Sequence, residues 1–77
     1  MAWTQLGEVL RQSALAAARA QGCYDAQIND IVQPSDSDGW EIAVSGTIQG
    51  RPQRLRIRIP SIADDGAPVN VICSVLD

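Results

Sequence analysis

Two stretches of the chain alternate strictly between apolar and polar residues, and they meet at Gln49-Gly50. In the first, Trp40, Ile42, Val44 and Ile48 fall on one side, and Glu41, Ser45 and Thr47 on the other. In the second, Leu55, Ile57 and Ile59 alternate with Arg54, Arg56 and Arg58. A period of two over this length predicts strands of a sheet with one dry and one wet face. If Gln49-Gly50 is a two-residue turn, Ile48 pairs with Arg51 and Thr47 faces Pro52. Proline has no N–H, and this register puts it at a non-hydrogen-bonded position, where the loss matters least. It also sets Val44 opposite Leu55, Ile42 opposite Ile57 and Trp40 opposite Ile59. On the wet face Ser45 meets Arg54, Ala43 meets Arg56 and Glu41 meets Arg58.

Upstream, the period changes from two to that of a helix, predicted from about Thr4 to Gln21. Thr4 is the candidate N-cap, and Gly22 fits the left-handed position just past the C-terminus. Leu6, Val9, Leu10, Ala14, Ala16, Ala17 and Ala20 share one broad face, joined by Trp3. Glu8, Arg11, Gln12 and Arg19 occupy the opposite face, with Leu15 projecting among them as either a lone exposed leucine or a contact for another chain. A further strand is expected from about Ala26 to Gln33. There Ile28 and Val32 share a face and Ile31 opposes them, with Asn29-Asp30 marking a bulge or an edge. Ser35 to Gly39 reads as a turn and Ser61 to Pro68 as a second polar loop. A last strand, about Val69 to Leu76, puts Val69, Val71, Cys73 and Val75 on one face. Asn70, Ile72, Ser74 and Leu76 share the other, so that side is not fully wet.

These elements predict a single α+β domain spanning residues 1–77, with one N-terminal helix packed on a curled four-stranded antiparallel meander. The order of elements is similar to the cystatin-like arrangement, a helix gripped by a meander. The resemblance is one of architecture; no residue carries a family signature, so it implies a fold and no function.

Composition narrows the chemistry. The 77 residues contain no His, no Lys and no Phe, and the net charge is −3. An acidic balance argues against a general nucleic-acid binder, whose affinity rests on neutralising phosphates. No apolar run approaches a membrane span and no signal-peptide pattern opens the chain, so a cytoplasmic protein is expected. Exclusively Arg basic residues with abundant Ala suggest a GC-rich bacterial or phage coding sequence. Cys23 and Cys73 match no metal spacing; they read as buried thiols, with one disulfide between them as the alternative. Without histidine the usual base of Ser and Cys hydrolases is missing. The acid pairs Asp36/Asp38 and Asp64/Asp65 sit in turn-forming loops, and DSDG brushes against a calcium loop without its later ligands. No catalytic residue, cofactor or metal site is therefore expected.

The strongest feature outside the core is the Arg54, Arg56, Arg58 ladder, which can hold carboxylates or phosphates bidentately or simply form a solvated face with Glu41 neutralising Arg58. The reading is a small non-catalytic protein-binding module, an adaptor or a phage-type inhibitor of a host protein, expected to act as a homodimer. Its expected contacts are Arg54, Arg56, Arg58, Leu15, Ile72 and Leu76. The alternatives are a carrier of small apolar ligands with Trp3, Tyr24 and Trp40 at the mouth of a pocket, and a nucleic-acid binder using the ladder.

Overall fold

The computed structural model describes residues 3–33 and 39–76, with residues 3–6 as helix backbone only. Helix α1 runs Trp3–Ala20. It is followed by strands β1 (Gln27–Val32), β2 (Trp40–Ile48), β3 (Arg51–Ile59), β4 (Ser61–Ile62), β5 (Pro68–Val69) and β6 (Ile72–Leu76). The strands β1-β2-β3-β6 form an open antiparallel sheet in that order, and β4 and β5 form a separate two-stranded sheet. The expected α+β architecture is present, with α1 on one face of the four-stranded sheet.

The hairpin β2–β3 has the predicted register in every pair, from Ile48 opposite Arg51 to Trp40 opposite Ile59. Gln49 and Gly50 both have positive φ, 53° and 76°, as a two-residue turn matching the sheet's twist requires. With Ile48 and Arg51 as the closing hydrogen-bonded pair, Thr47 and Pro52 form a non-hydrogen-bonded pair, and their backbone groups point out of the hairpin. The Thr47 N–H confirms this: it donates 2.7 Å to the Asp25 carboxylate on the far side. Alternation then aims the main-chain groups of Arg54, Arg56 and Arg58 at β6.

The helix ends at a Schellman motif. Gly22 has φ 92°, the Cys23 N–H donates to the Ala18 carbonyl and the Gly22 N–H to that of Arg19, each at 3.0 Å. The chain reverses at once, and Cys23 forms an isolated bridge with Ile48 at the hairpin end of the sheet. The core consists of Leu10, Ala14, Ala18, Cys23, Ile42, Val44, Leu55, Ile57 and Ile59. No aromatic is fully buried among the described residues; small side chains on α1 let the helix lie close to the isoleucine-rich sheet.

Four expectations require correction. Helix α1 begins at Trp3, so Thr4 lies inside its first turn instead of capping it. The buried stripe is Leu10, Ala14 and Ala18, whereas Ala16 and Ala20 are exposed. Strand β1 does carry a bulge: pairing shifts between Ile28 and Asp30, and the extra residue, Asn29, turns both Ile28 and Ile31 inward opposite Val44 and Ile42. Val32, expected on the same face as Ile28, instead faces outward beside Glu41. Finally, the last strand is interrupted. Asn70 has φ 58°, Val69 pairs with Ser61 in the small sheet, and only Ile72–Leu76 continues along β3.

Candidate protein-binding face

The helix covers one side of the four-stranded sheet, and the side chains on the other side form three rows across the strands. The first is Val32, Glu41, Arg58 and Ile72; the second Asp30, Ala43, Arg56 and Ser74; the third Gln27, Ser45, Arg54 and Leu76. The three predicted arginines therefore share a face with Ile72 and Leu76. They stand on a central strand, held by inward neighbours Leu55 and Ile57 that are fully buried.

The electrostatics of this face are unlike those of the chain as a whole. Three guanidinium groups stand here with two carboxylates, Glu41 and Asp30, although the net charge of the molecule is −3. Glu41 is opposite Arg58 in register, yet its carboxylate reaches diagonally to the Arg56 Nε at 3.5 Å. The expected neutralisation of Arg58 thus falls on Arg56. An exposed pair at this distance contributes little. Arg54 and Arg58 make no ion pair with any described residue. A shallow open groove runs past Glu41, Ala43, Arg54, Arg56 and Leu76. At its β1 side the Asn29 amide donates 3.1 Å to the Ser45 hydroxyl, fixing the bulge against β2.

Leu15, read from the sequence as an exposed leucine or a contact for another chain, is not part of this face. It is half-buried, about 60° around α1 from Ala18. The outer face does include Val32, which simple alternation places inside; only the shift produced by Asn29 exposes it.

The remaining candidate chemistry is placed as follows. Cys23 and Cys73 are free thiols. Burial, followed by the thiol's hydrogen bond to Asp25 and that carboxylate's charge, raises the Cys23 pKa; burial and the nearby Cys23 raise that of Cys73. Both changes disfavour the thiolate that a nucleophile or metal ligand needs. Asp65 accepts the Ala67 N–H at 3.0 Å, the turn-forming role expected of the Asp64/Asp65 pair. Asp36 and Asp38, with the calcium-loop reading, lie outside the described residues. Among the described residues no three His, Cys, Asp or Glu side chains are grouped to hold a metal ion, and no helix is long and apolar enough to cross a membrane. Tyr24 and Trp40 do not frame a common pocket mouth. Tyr24 is 78% exposed beside the Cys23–Ile48 bridge, while Trp40 packs on the core at the opposite end of β2, about 26 Å away for a strand of that length. The Trp3 side chain lies outside the described residues.

Asp25 is a structural residue that the sequence pattern did not flag. The Thr47 backbone hydrogen bond holds its carboxyl below the ordinary aspartate range, with Thr47 side-chain bonding next in weight. A pKa lower in the folded than in the unfolded chain means the unfolded state binds more protons. Asp25 therefore stabilises the fold fully at neutral pH and loses that contribution as pH falls through the folded value. Asp25→Ala should lower the urea midpoint at pH 7, and the gap from the parent should narrow as pH falls below the ordinary aspartate range. A gap that stays constant over that fall would contradict the assignment.

No family model matches the chain, and no curated protein or solved structure does so either. The class defined by fold and face is a small α+β domain with a mixed basic and apolar sheet surface.

Proposed function

We propose that this is a non-catalytic protein-binding module, an adaptor or inhibitor that works in the cytoplasm by occupying an acidic patch on another protein with the outer face of its sheet. The observation that carries the reading is the arginine ladder on a rigid central strand, with Arg54 and Arg58 lacking described ionic partners and Ile72 and Leu76 alongside. Guanidinium groups with apolar neighbours are what interface centres favour: planar donors for carboxylates, and surface that gains from losing water. The raised thiol pKa values count against Cys23 or Cys73 as a thiolate nucleophile and say nothing of other chemistry. Nucleic acid is a poorer match, because among the described residues no aromatic stands on the outer face to stack on bases, and the chain is acidic as a whole.

The test is capture of partners on immobilised protein, with Arg56→Glu in parallel. The parent should retain a partner that is released by salt, and Arg56→Glu should reduce capture at least about tenfold, as expected when a desolvated charge pair becomes a repulsion. Unchanged capture removes the ladder from the interface. Oligonucleotide added to the parent should give no salt-dependent change in tryptophan fluorescence.

A further inference from the structure

We infer that β6 pairs with β6 of a second copy about a two-fold axis at Ser74, giving a continuous eight-stranded sheet. This deepens the binding reading by naming one partner as the chain itself. The two edges of the described sheet differ in kind. Strand β1 is blunted by a bulge at Asn29 and by Asp30, both common protections against edge pairing. Strand β6 has no charge, no proline and no bulge, and its residues Ile72–Leu76 are apolar but for Ser74.

The main-chain geometry favours this partner. Arg54, Arg56 and Arg58 direct their backbone groups to Leu76, Ser74 and Ile72, so those of Cys73 and Val75 point to the free edge. In an antiparallel pair centred on Ser74, Cys73 exchanges two hydrogen bonds with the partner's Val75, and Val75 with the partner's Cys73. The residue order is self-complementary on both faces. Outside, Ile72 meets the partner's Leu76; inside, Cys73 meets the partner's Val75. An antiparallel strand paired with its own copy satisfies two-fold symmetry without adjustment.

Uncovered apolar surface flanks this edge on both faces of the sheet. Helix α1 buries Leu55 and Ile57 but leaves Val75, on its own side of the sheet, 43% exposed next to the edge, while Ile72 is 52% exposed on the opposite face. On the helix side, a groove between α1 and the β5–β6 segment is lined by Ala16, Ala17, Ala20, Val71 and Cys73 among others. Small residues there let a second helix approach closely. Charge does not oppose the pairing. Arg56 and the partner's Arg56 are separated by three strand spacings, about 14 Å, beyond the screening length of about 8 Å at physiological salt. The joined sheet would present two arginine ladders flanking an apolar strip.

Ser74→Cys tests both state and register. Ser74 and the partner's Ser74 form a non-hydrogen-bonded pair with Cα atoms about 4.5 Å apart, within disulfide range. Diamide should convert Ser74→Cys to a covalent dimer on non-reducing gels and leave the parent, with its native Cys73, uncrosslinked. Light scattering should give twice the chain mass for the parent and the single-chain mass for Val75→Lys, whose circular dichroism should remain that of the parent. A monomeric parent overturns the inference and leaves the edge to a strand of another protein. A dimer that crosslinks through Cys73, or that survives Val75→Lys, overturns the register or the edge. A capturing monomer counts against the edge alone, and a dimer whose capture ignores Arg56→Glu counts against the arginine face alone.

Discussion

Gly46→Ala should be among the most damaging single-methyl additions to this domain. Gly46 faces inward near the turn end of the hairpin, opposite Gln53, and the segment after α1 crosses directly over it. A Cβ there would run into the Cys23 sulfur, and would stand 3.0 Å from the Asp25 Oδ1 and 3.2 Å from the Ala26 Cα. None of these can yield easily. Cys23 is buried and bridged to Ile48, and Asp25 is held by the Thr47 N–H. Overpacking together with a weakened hydrogen bond should cost about 3 kcal/mol. For a domain of this size that lowers Tm by roughly 15 °C. Removing the sulfur should relieve part of the strain, so Cys23→Ala with Gly46→Ala should cost less than the two single changes added. Additivity to within about 0.5 kcal/mol in thermal melts would show that the two side chains do not meet.

The hairpin was legible in the sequence because several constraints agree there. The alternation fixes the faces, the turn residues fix the loop, and Pro52 excludes the neighbouring register; all nine residue pairs follow. The helix was legible as an element but not in its rotation. Alanine occupies positions 14, 16, 17, 18 and 20, all around the axis, so hydrophobic contrast vanishes in that half. What sets the rotation is tertiary: the Schellman turn and the Cys23 bridge tie the end of α1 to Ile48, and this brings Ala18 inward and leaves Ala16 outside. The paired segments β4 and β5 have two residues each, too short for a period to appear.

The candidate face divides the same way. That Arg54, Arg56 and Arg58 share a side with Ile72 and Leu76 follows from parity, and parity is readable. That Asn29 redirects Val32 outward is not, since one inserted residue exchanges the faces of everything beyond it. Nor does register decide which arginine Glu41 meets. Opposite and diagonal neighbours are both within reach of a long side chain, and the diagonal Arg56 is the one it contacts.

Neighbouring residues on β3 give the sharpest test of whether the outer face is free. Ile57 is fully buried between Ile42 on β2 and Cys73 on β6. Truncation to alanine at such a site costs about 2–5 kcal/mol, and its central position argues for the upper half. A 77-residue domain has about 4–12 kcal/mol in total. Ile57→Ala should therefore remove a third or more of the stability and bring visible unfolding into mild urea, with Ile57→Val close to 1 kcal/mol. Arg56→Ala, one residue away, loses only an exposed ion pair and should stay within about 0.5 kcal/mol of the parent. The two effects are set by which side of one strand a residue occupies, so the contrast should persist when the protein is diluted. Equal losses at both positions would mean that a second layer packs over the arginines, and the face would then be part of the core and no longer a surface offered to a partner.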